Sequence, residues 1–208
     1  MADQPPKVSA VLAAMADGIG DLTFASAEWV EAASAVLTET VASNEAGLAD
    51  VGEFTLCEVA HNPPAYLHAG SKLAWHARFS GATVDVGTGE LEVAECNFKI
   101  QGDHSVLSNL ARIQYHGKDP GLVAAAQARL GGLTRWQIDG TLPQHAVLGA
   151  VLRTLHDRMA SRTMPRFTFM TPEWVSSARH ILSTRAASEK YAAGIRNIVY
   201  TFSEEFTD

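Results

Sequence analysis

Leu73 to Gln101 reads LAWHARFSGATVDVGTGELEVAECNFKIQ. Its first part alternates: Leu73, Trp75, Ala77 and Phe79 fall on one side, with Lys72, Ala74, His76 and Arg78 on the other. That is the pattern of a strand with one buried face. Ser80-Gly81 turns, Thr83 to Val86 returns, and Gly87-Thr88-Gly89 turns again. From Leu91 to Gln101 the alternation resumes, with Ala94, Cys96, Phe98 and Ile100 opposite Glu95, Asn97, Lys99 and Gln101. Strands this close, joined by short glycine turns, predict an antiparallel meander.

Upstream, Phe54 to Val59 is a further short strand, broken by Asn62-Pro63-Pro64. Before it, Ser26 caps a helix whose face is Trp29, Val30, Ala33, Val36, Leu37 and Val41, with Glu28 in the first turn to meet the helix dipole. Residues 1–23 read as a loose leader containing one short helix, Lys7 to Ala16. Downstream, Asp103 caps a helix with Val106, Leu107, Leu110 and Ile113. Pro120 begins an alanine-rich helix that Gly131-Gly132 stops, Leu133 to Ile138 reads as a last strand, and Pro143 opens a long helix with Val147, Leu148, Val151, Leu152, Leu155 and Met159 on its apolar face. Strands in one run, flanked by helices, give the α+β class rather than alternating α/β.

The chain writes one motif twice. FASAEWVEAASAVL at Phe24 to Leu37 matches FMTPEWVSSARHIL at Phe169 to Leu182, with six of the fourteen positions identical. A shorter match follows, Phe54 to Glu58 against Tyr200 to Glu204. An offset of 145 residues in the longer match implies a duplicated unit rather than a solenoid. The expected organisation is a leader at 1–23, a main domain at 24–165 and a half-repeat of helix and strand at 166–208. The tail strand, at 197–206, has nothing after it to pair with. It would extend the sheet of the main domain, pair across a two-fold axis to make a homodimer, or belong to a longer two-domain protein.

Composition narrows the field. With 47% hydrophobic and 19% charged residues over 208 positions, the chain can bury a real core. A formal charge of −7 argues against nucleic acid and anionic membrane surfaces as partners. The apolar run from Val8 to Met15 is too short for a membrane span or a secretory signal, so a cytoplasmic protein is expected. Cys57 and Cys96 read as reduced, packed thiols. No HxH, HExxH or CxxC spacing occurs, and Gly87-Thr88-Gly89 lacks the lysine and helix of a phosphate loop. Neither a metal nor a cofactor is expected.

The opening FASAEWVEAASAVL helix, the strand pair at Leu73–Phe79 and Thr83–Val86, the AECNFKIQGDHSVLSNLARI strand-to-helix passage and Ile138-Asp139-Gly140 together resemble the sterol-carrier-protein family of lipid-binding domains. The resemblance spans residues 24–160 and rests on pattern rather than on a diagnostic motif. It implies a five-stranded, mainly antiparallel sheet covered by helices, with an apolar tunnel between them that holds sterols, acyl chains or other hydrophobic molecules. The insertion at Gln114 to Gly132 and the half-repeat depart from that pattern.

The residues expected to touch such a ligand are Trp75, Phe79 and Phe98 on the strands, and Val106, Leu110, Val151 and Leu155 on the covering helices. A packed core would use the same side chains. The leading expectation is non-catalytic binding or transfer of a hydrophobic small molecule. The alternative is a small α+β isomerase, hydratase or cyclase whose general base would be His76, Asp85 or His104. His156-Asp157 on the last long helix reads as a solvated or capping histidine, since neighbours on a helix point about 100° apart. A third reading is an interaction module with a closed cavity.

Overall fold

The structure, a computed structural model, describes residues 8–134, 137–142, 144–167 and 170–187. Five strands form one sheet: β1 (Glu53–His61), β2 (Lys72–Ser80), β3 (Thr83–Thr88), β4 (Phe98–Asp103) and β5 (Gln137–Gly140). Their spatial order is β3-β2-β1-β4-β5. Three neighbouring pairs are antiparallel, and β1 with β4 is parallel. The class is α+β, with a mixed, mainly antiparallel sheet.

The expected meander holds only through β3. Residues 89–97 do not run back beside β3. They carry the chain across the sheet to the far side of β1, where β4 starts. Parallel neighbours require such a crossover. The alternation read at Leu91 to Asn97 belongs to this crossing segment. Leu91 packs on Cys57, Val59 and Ala74, and a single 3-10 turn at Val93–Glu95 is closed by reciprocal bonds between Glu92 and Glu95. Asn97 fixes the landing point: its side-chain Oδ1 accepts from Thr55 N at 2.8 Å, and its own N–H donates to Thr55 O at 2.9 Å. Gly140, at φ +79, lies so close to the Asn97 carbonyl that a Cβ there would overlap it.

Helices cover one face. α1 (Val8–Ala14), α2 (Ala27–Ser43), α3 (Glu45–Leu48), α4 (His104–Leu110), α5 (Pro120–Gly131), α6 (Ala146–Ala160) and α7 (Pro172–Ala187) follow in chain order among the strands. Ser26 caps α2 by accepting from Trp29 N at 3.3 Å, and the face from Trp29 to Val41 is buried as its spacing predicts. α2 lies over β3 and beside α6. Together they enclose the main core, from Phe24, Trp29 and Leu37 to Leu148, Val151 and Met159. A second core joins α1, α4 and α5 through Val11, Met15, Val106, Ile113, Val123 and Leu130. Arg112 knits residues 16–18 to the end of α6, donating to the carbonyls of Ala16, Gly18 and Thr163.

Asp103 precedes α4 but does not cap it. Its carboxylate accepts from Asn62 Nδ2 and Thr134 Oγ1 at 2.9 Å each. The two copies of the repeated motif occupy different surroundings. Val30 and Leu37 on α2 are buried, whereas their counterparts on α7, Val175 and Leu182, are 39% and 68% exposed. Pro143, Phe169 and the tail strand at 197–206 lie outside the described residues.

Candidate functional site

A cavity of about 440 Å³ lies between the helix-covered side of the sheet and helices α4, α5 and α6. Alternation on the strands sets its floor. Leu56 and Glu58 on β1, Trp75 on β2, and Phe98 and Ile100 on β4 all project to this side. Its roof comes from α6, whose Gly149, Leu152, Arg153 and His156 form one stripe at helical spacing. That stripe runs beside the core stripe of Leu148, Val151, Leu155 and Met159. Leu107, Leu110, Ala111 and Tyr115 make one wall, and Phe24 and Trp29 make the deep end. The rim carries the exposed residues Gln127, Leu142 and Arg153.

The deep end is an aromatic chain. Phe24 meets Trp29 edge-on at 4.9 Å between ring centroids, and Trp29 meets Trp75 at 5.2 Å. Trp29 Nε1 donates to Thr163 Oγ1 at 2.9 Å. Trp75 Nε1 donates to Glu58 Oε2, also at 2.9 Å, across the β1–β2 register.

Glu58 is the unusual residue. It stands on a face otherwise made of Phe54, Leu56 and Ala60. Protein surrounds its carboxyl, and the accessible surface it keeps opens on the cavity. Burial pushes its pKa up to about 7, against the pull of the Trp75 bond. Two further polar side chains share the space. His156 is half-buried, but its Nδ1 is buried and without a hydrogen-bond partner among the described residues, and burial holds its pKa below the ordinary value although Asp157 opposes. Tyr115 meets the His156 ring edge-on at 5.4 Å and accepts from Gln127 Nε2 at 3.0 Å. Burial, then the nearby Glu58, raises the Tyr115 pKa. Asp157 pins the Tyr115 loop to α6 by accepting from the backbone N–H of Tyr115 at 2.6 Å and of His116 at 3.2 Å.

Of the residues expected to touch a ligand, Trp75, Phe98, Leu110 and Leu155 line the cavity. Phe79 packs on Phe54 and Val151 sits in the main core, neither on the cavity wall. Val106 faces the second core with Val11 and Ile113. The three candidate bases do not meet there. His76 and Asp85 lie on the other face of the sheet. His76 Nδ1 is 3.0 Å from Gly89 O, its Nε2 is 3.3 Å from Arg78 NH1, and Asp85 is exposed. His104 is buried, its pKa lowered by that burial although the bond to Phe24 works the other way. Its neutral ring donates from Nε2 to Phe24 O at 3.1 Å and accepts at Nδ1 from Ser108 Oγ at 3.3 Å. It therefore positions an aromatic of the deep end without reaching the cavity. His156, read from sequence as a solvated or capping histidine, is instead part of the roof.

The signal for Glu58 was present in the sequence. Alternation through Phe54, Leu56 and Glu58 sets an acid on an apolar face. Tyr115 and Gln127 left no such trace, because a loop and a separate helix bring them in. Among the described residues, no cluster of three or more His, Cys, Asp or Glu could hold a metal ion, and no helix is long and apolar enough to cross a membrane.

No protein-family model matches the chain, and no curated protein matches it. Two solved structures are similar in outline. One is the solution structure of a conserved hypothetical protein from Thermus thermophilus, described as possibly a sterol carrier protein. It is 18% identical, covers 75% of this chain and 98% of its own, and superposes with a TM-score of 0.41. The other is the crystal structure of sterol carrier protein 2, at 16% identity, 68% and 98% coverage and a TM-score of 0.42. Similarities of this size do not say what this chain binds.

Proposed function

We propose that this chain binds a hydrophobic small molecule, without altering it, in the cavity between sheet and helices. The observation that carries the reading is the cavity itself, at about 440 Å³ and walled by Leu56, Trp75, Phe98, Ile100, Leu110 and Leu152. That volume falls in the range typical of small-molecule sites, roughly 300–1,000 Å³. Apolar burial would supply the affinity, at about 25 cal/mol per Å² of ligand surface covered. Native mass spectrometry of freshly purified protein tests it. A co-purified apolar molecule, or uptake of an added long-chain alcohol, supports the reading. A bare chain that takes up neither overturns it.

Glu58, His156 and Tyr115 on one cavity keep an enzymatic reading alive, with Glu58 in place of the bases expected from sequence. An isomerase or hydratase would convert a bound ligand. Recovery of every added ligand chemically unchanged removes that reading and leaves binding. We further propose that 24–165 is the binding unit and that 166–208 mediates a homodimer. Light scattering on a chain ending at Pro165 tests the second point, and an unchanged oligomeric mass would remove it.

A further inference from the structure

We propose that the cavity selects apolar molecules carrying a basic nitrogen, with the ammonium against Glu58 and the hydrocarbon body along the Phe98 and Leu152 side. This deepens the binding reading above and rests on it. Among the described residues Glu58 has one polar partner, the indole N–H of Trp75 on Oε2. Its second oxygen has none there, and no described lysine, arginine or histidine forms an ion pair with it. Arg153 lines the same cavity but stands at the rim, exposed.

A carboxyl half-buried on the wall of an apolar cavity without a counter-ion is costly to ionise. A ligand that brings the positive charge removes that cost, because the carboxylate and the ammonium enter the low-dielectric space as a pair. The surroundings favour a cation in two further ways. Trp29, Trp75, Phe98 and Tyr115 present aromatic rings to the cavity, and aromatic faces attract cations. His156 lies in the roof of the same cavity, with Nδ1 unpartnered among the described residues, and burial favours its neutral form, which offers an acceptor and no competing charge. A hydroxyl head would bond Glu58 but leave its charge uncompensated. A carboxylate head would meet another acid.

The test compares decylamine, decanol and decanoic acid, three heads on one tail. Each is titrated below its micellar concentration in about 0.3 M salt, which screens attraction to the acidic surface. Quenching of tryptophan fluorescence follows binding through Trp29 and Trp75, two of the chain's four tryptophans, and native mass spectrometry gives the stoichiometry. The amine should bind about tenfold tighter than the alcohol, or better, and the acid weakest. Glu58→Gln should bring amine and alcohol within about threefold of each other, chiefly by weakening the amine. An amine no tighter than the alcohol in the unaltered chain overturns this inference alone, whatever the variant does. A preference that survives Glu58→Gln overturns it too. If none of the three binds, the binding reading falls with it.

Discussion

The two faces of the sheet each carry an ionisable side chain near the centre, buried on one and half-buried on the other, and they treat it in opposite ways. On the outer face, Lys99 of β4 is 2% exposed. Its ammonium meets Glu90 Oε1 at 2.6 Å and the Leu91 carbonyl at 2.7 Å, and Lys72 holds the other oxygen of Glu90. Burial, the largest single influence, would lower the Lys99 pKa, but the bond to Glu90, its negative charge and the nearby Cys57 and Cys96 together outweigh it and hold the group above its ordinary value. One strand away, on the covered face, Glu58 of β1 has a single indole N–H. The crossing segment at 89–97 supplies both the lid and the counter-charge on the outer side. Among the described residues nothing equivalent reaches Glu58, because α6 and α4 stand off the sheet and leave the cavity. Where the fold closes a face it also neutralises it, and where it leaves space it leaves a charge to be answered from outside.

That contrast can be attacked at four strengths. The largest effect is expected at the deep end. Trp29→Ala removes the ring contacts to Phe24 and Trp75 together with the bond to Thr163, and should destabilise the fold by about 4 kcal/mol in denaturant unfolding. A loss under about 1 kcal/mol would mean that the aromatic chain is not structural support for the cavity. Next comes Lys99→Met on the closed face, expected to cost about 2 kcal/mol. The figure is modest because Glu90 keeps Lys72. A stabilising outcome would show that the outer pair is not compensated by its surroundings as the distances indicate.

Charge removal on the open face should have the reverse sign. The folded chain holds the Glu58 proton to about pH 7, whereas the ordinary value is 4.5. Between those values the folded state binds more protons than the unfolded one, so stability falls as the pH rises through the window. The loss is absent below pH 4.5 and complete above about pH 7. Glu58→Gln should remove this slope. Above pH 7 the variant should then be more stable by on the order of 2 kcal/mol, with no gain at low pH. Parallel unfolding curves for the two chains from acid to neutral pH would show that Glu58 already has a counter-charge.

The same contrast explains what was readable in advance. Alternation at Leu73 to Phe79 placed Trp75 on the inner face and His76 on the outer, and the helix spacing from Trp29 to Val41 gave the cover. Those patterns are local, so one sequence carries them. The pairing of β4 with β1 is not local. It depends on where a nine-residue segment, 89–97, lands, and a run of alternating residues looks alike in a strand and in a crossing loop. The cavity was less legible still. Leu110 and Leu155 line it while Val106 and Val151, from the same helices, do not, because a small rotation of a helix decides which side of its apolar stripe faces the void. The repeated motif makes a related point. A motif specifies a helix, but only its neighbours decide whether Leu37 or Leu182 is buried.

The smallest expected effect on the fold falls at the rim. Leu142 is 52% exposed and follows β5 at the edge of the cavity. A side chain that protein covers only in part contributes little to folding, so Leu142→Ser should change stability by less than about 0.5 kcal/mol. A bound tail passing the rim would cover some of what remains. Losing roughly 40 Å² of shared apolar contact, at about 25 cal/mol per Å², amounts to about 1 kcal/mol, or about fivefold in affinity. Decanol binding to the variant reads this against unchanged unfolding. Affinity that stays the same would mean the tail does not pass Leu142, and the ligand would then lie wholly in the deep end beside Trp29 and Glu58. The open face would be a closed chamber rather than a channel, and its difference from the outer face would reduce to the carboxyl alone.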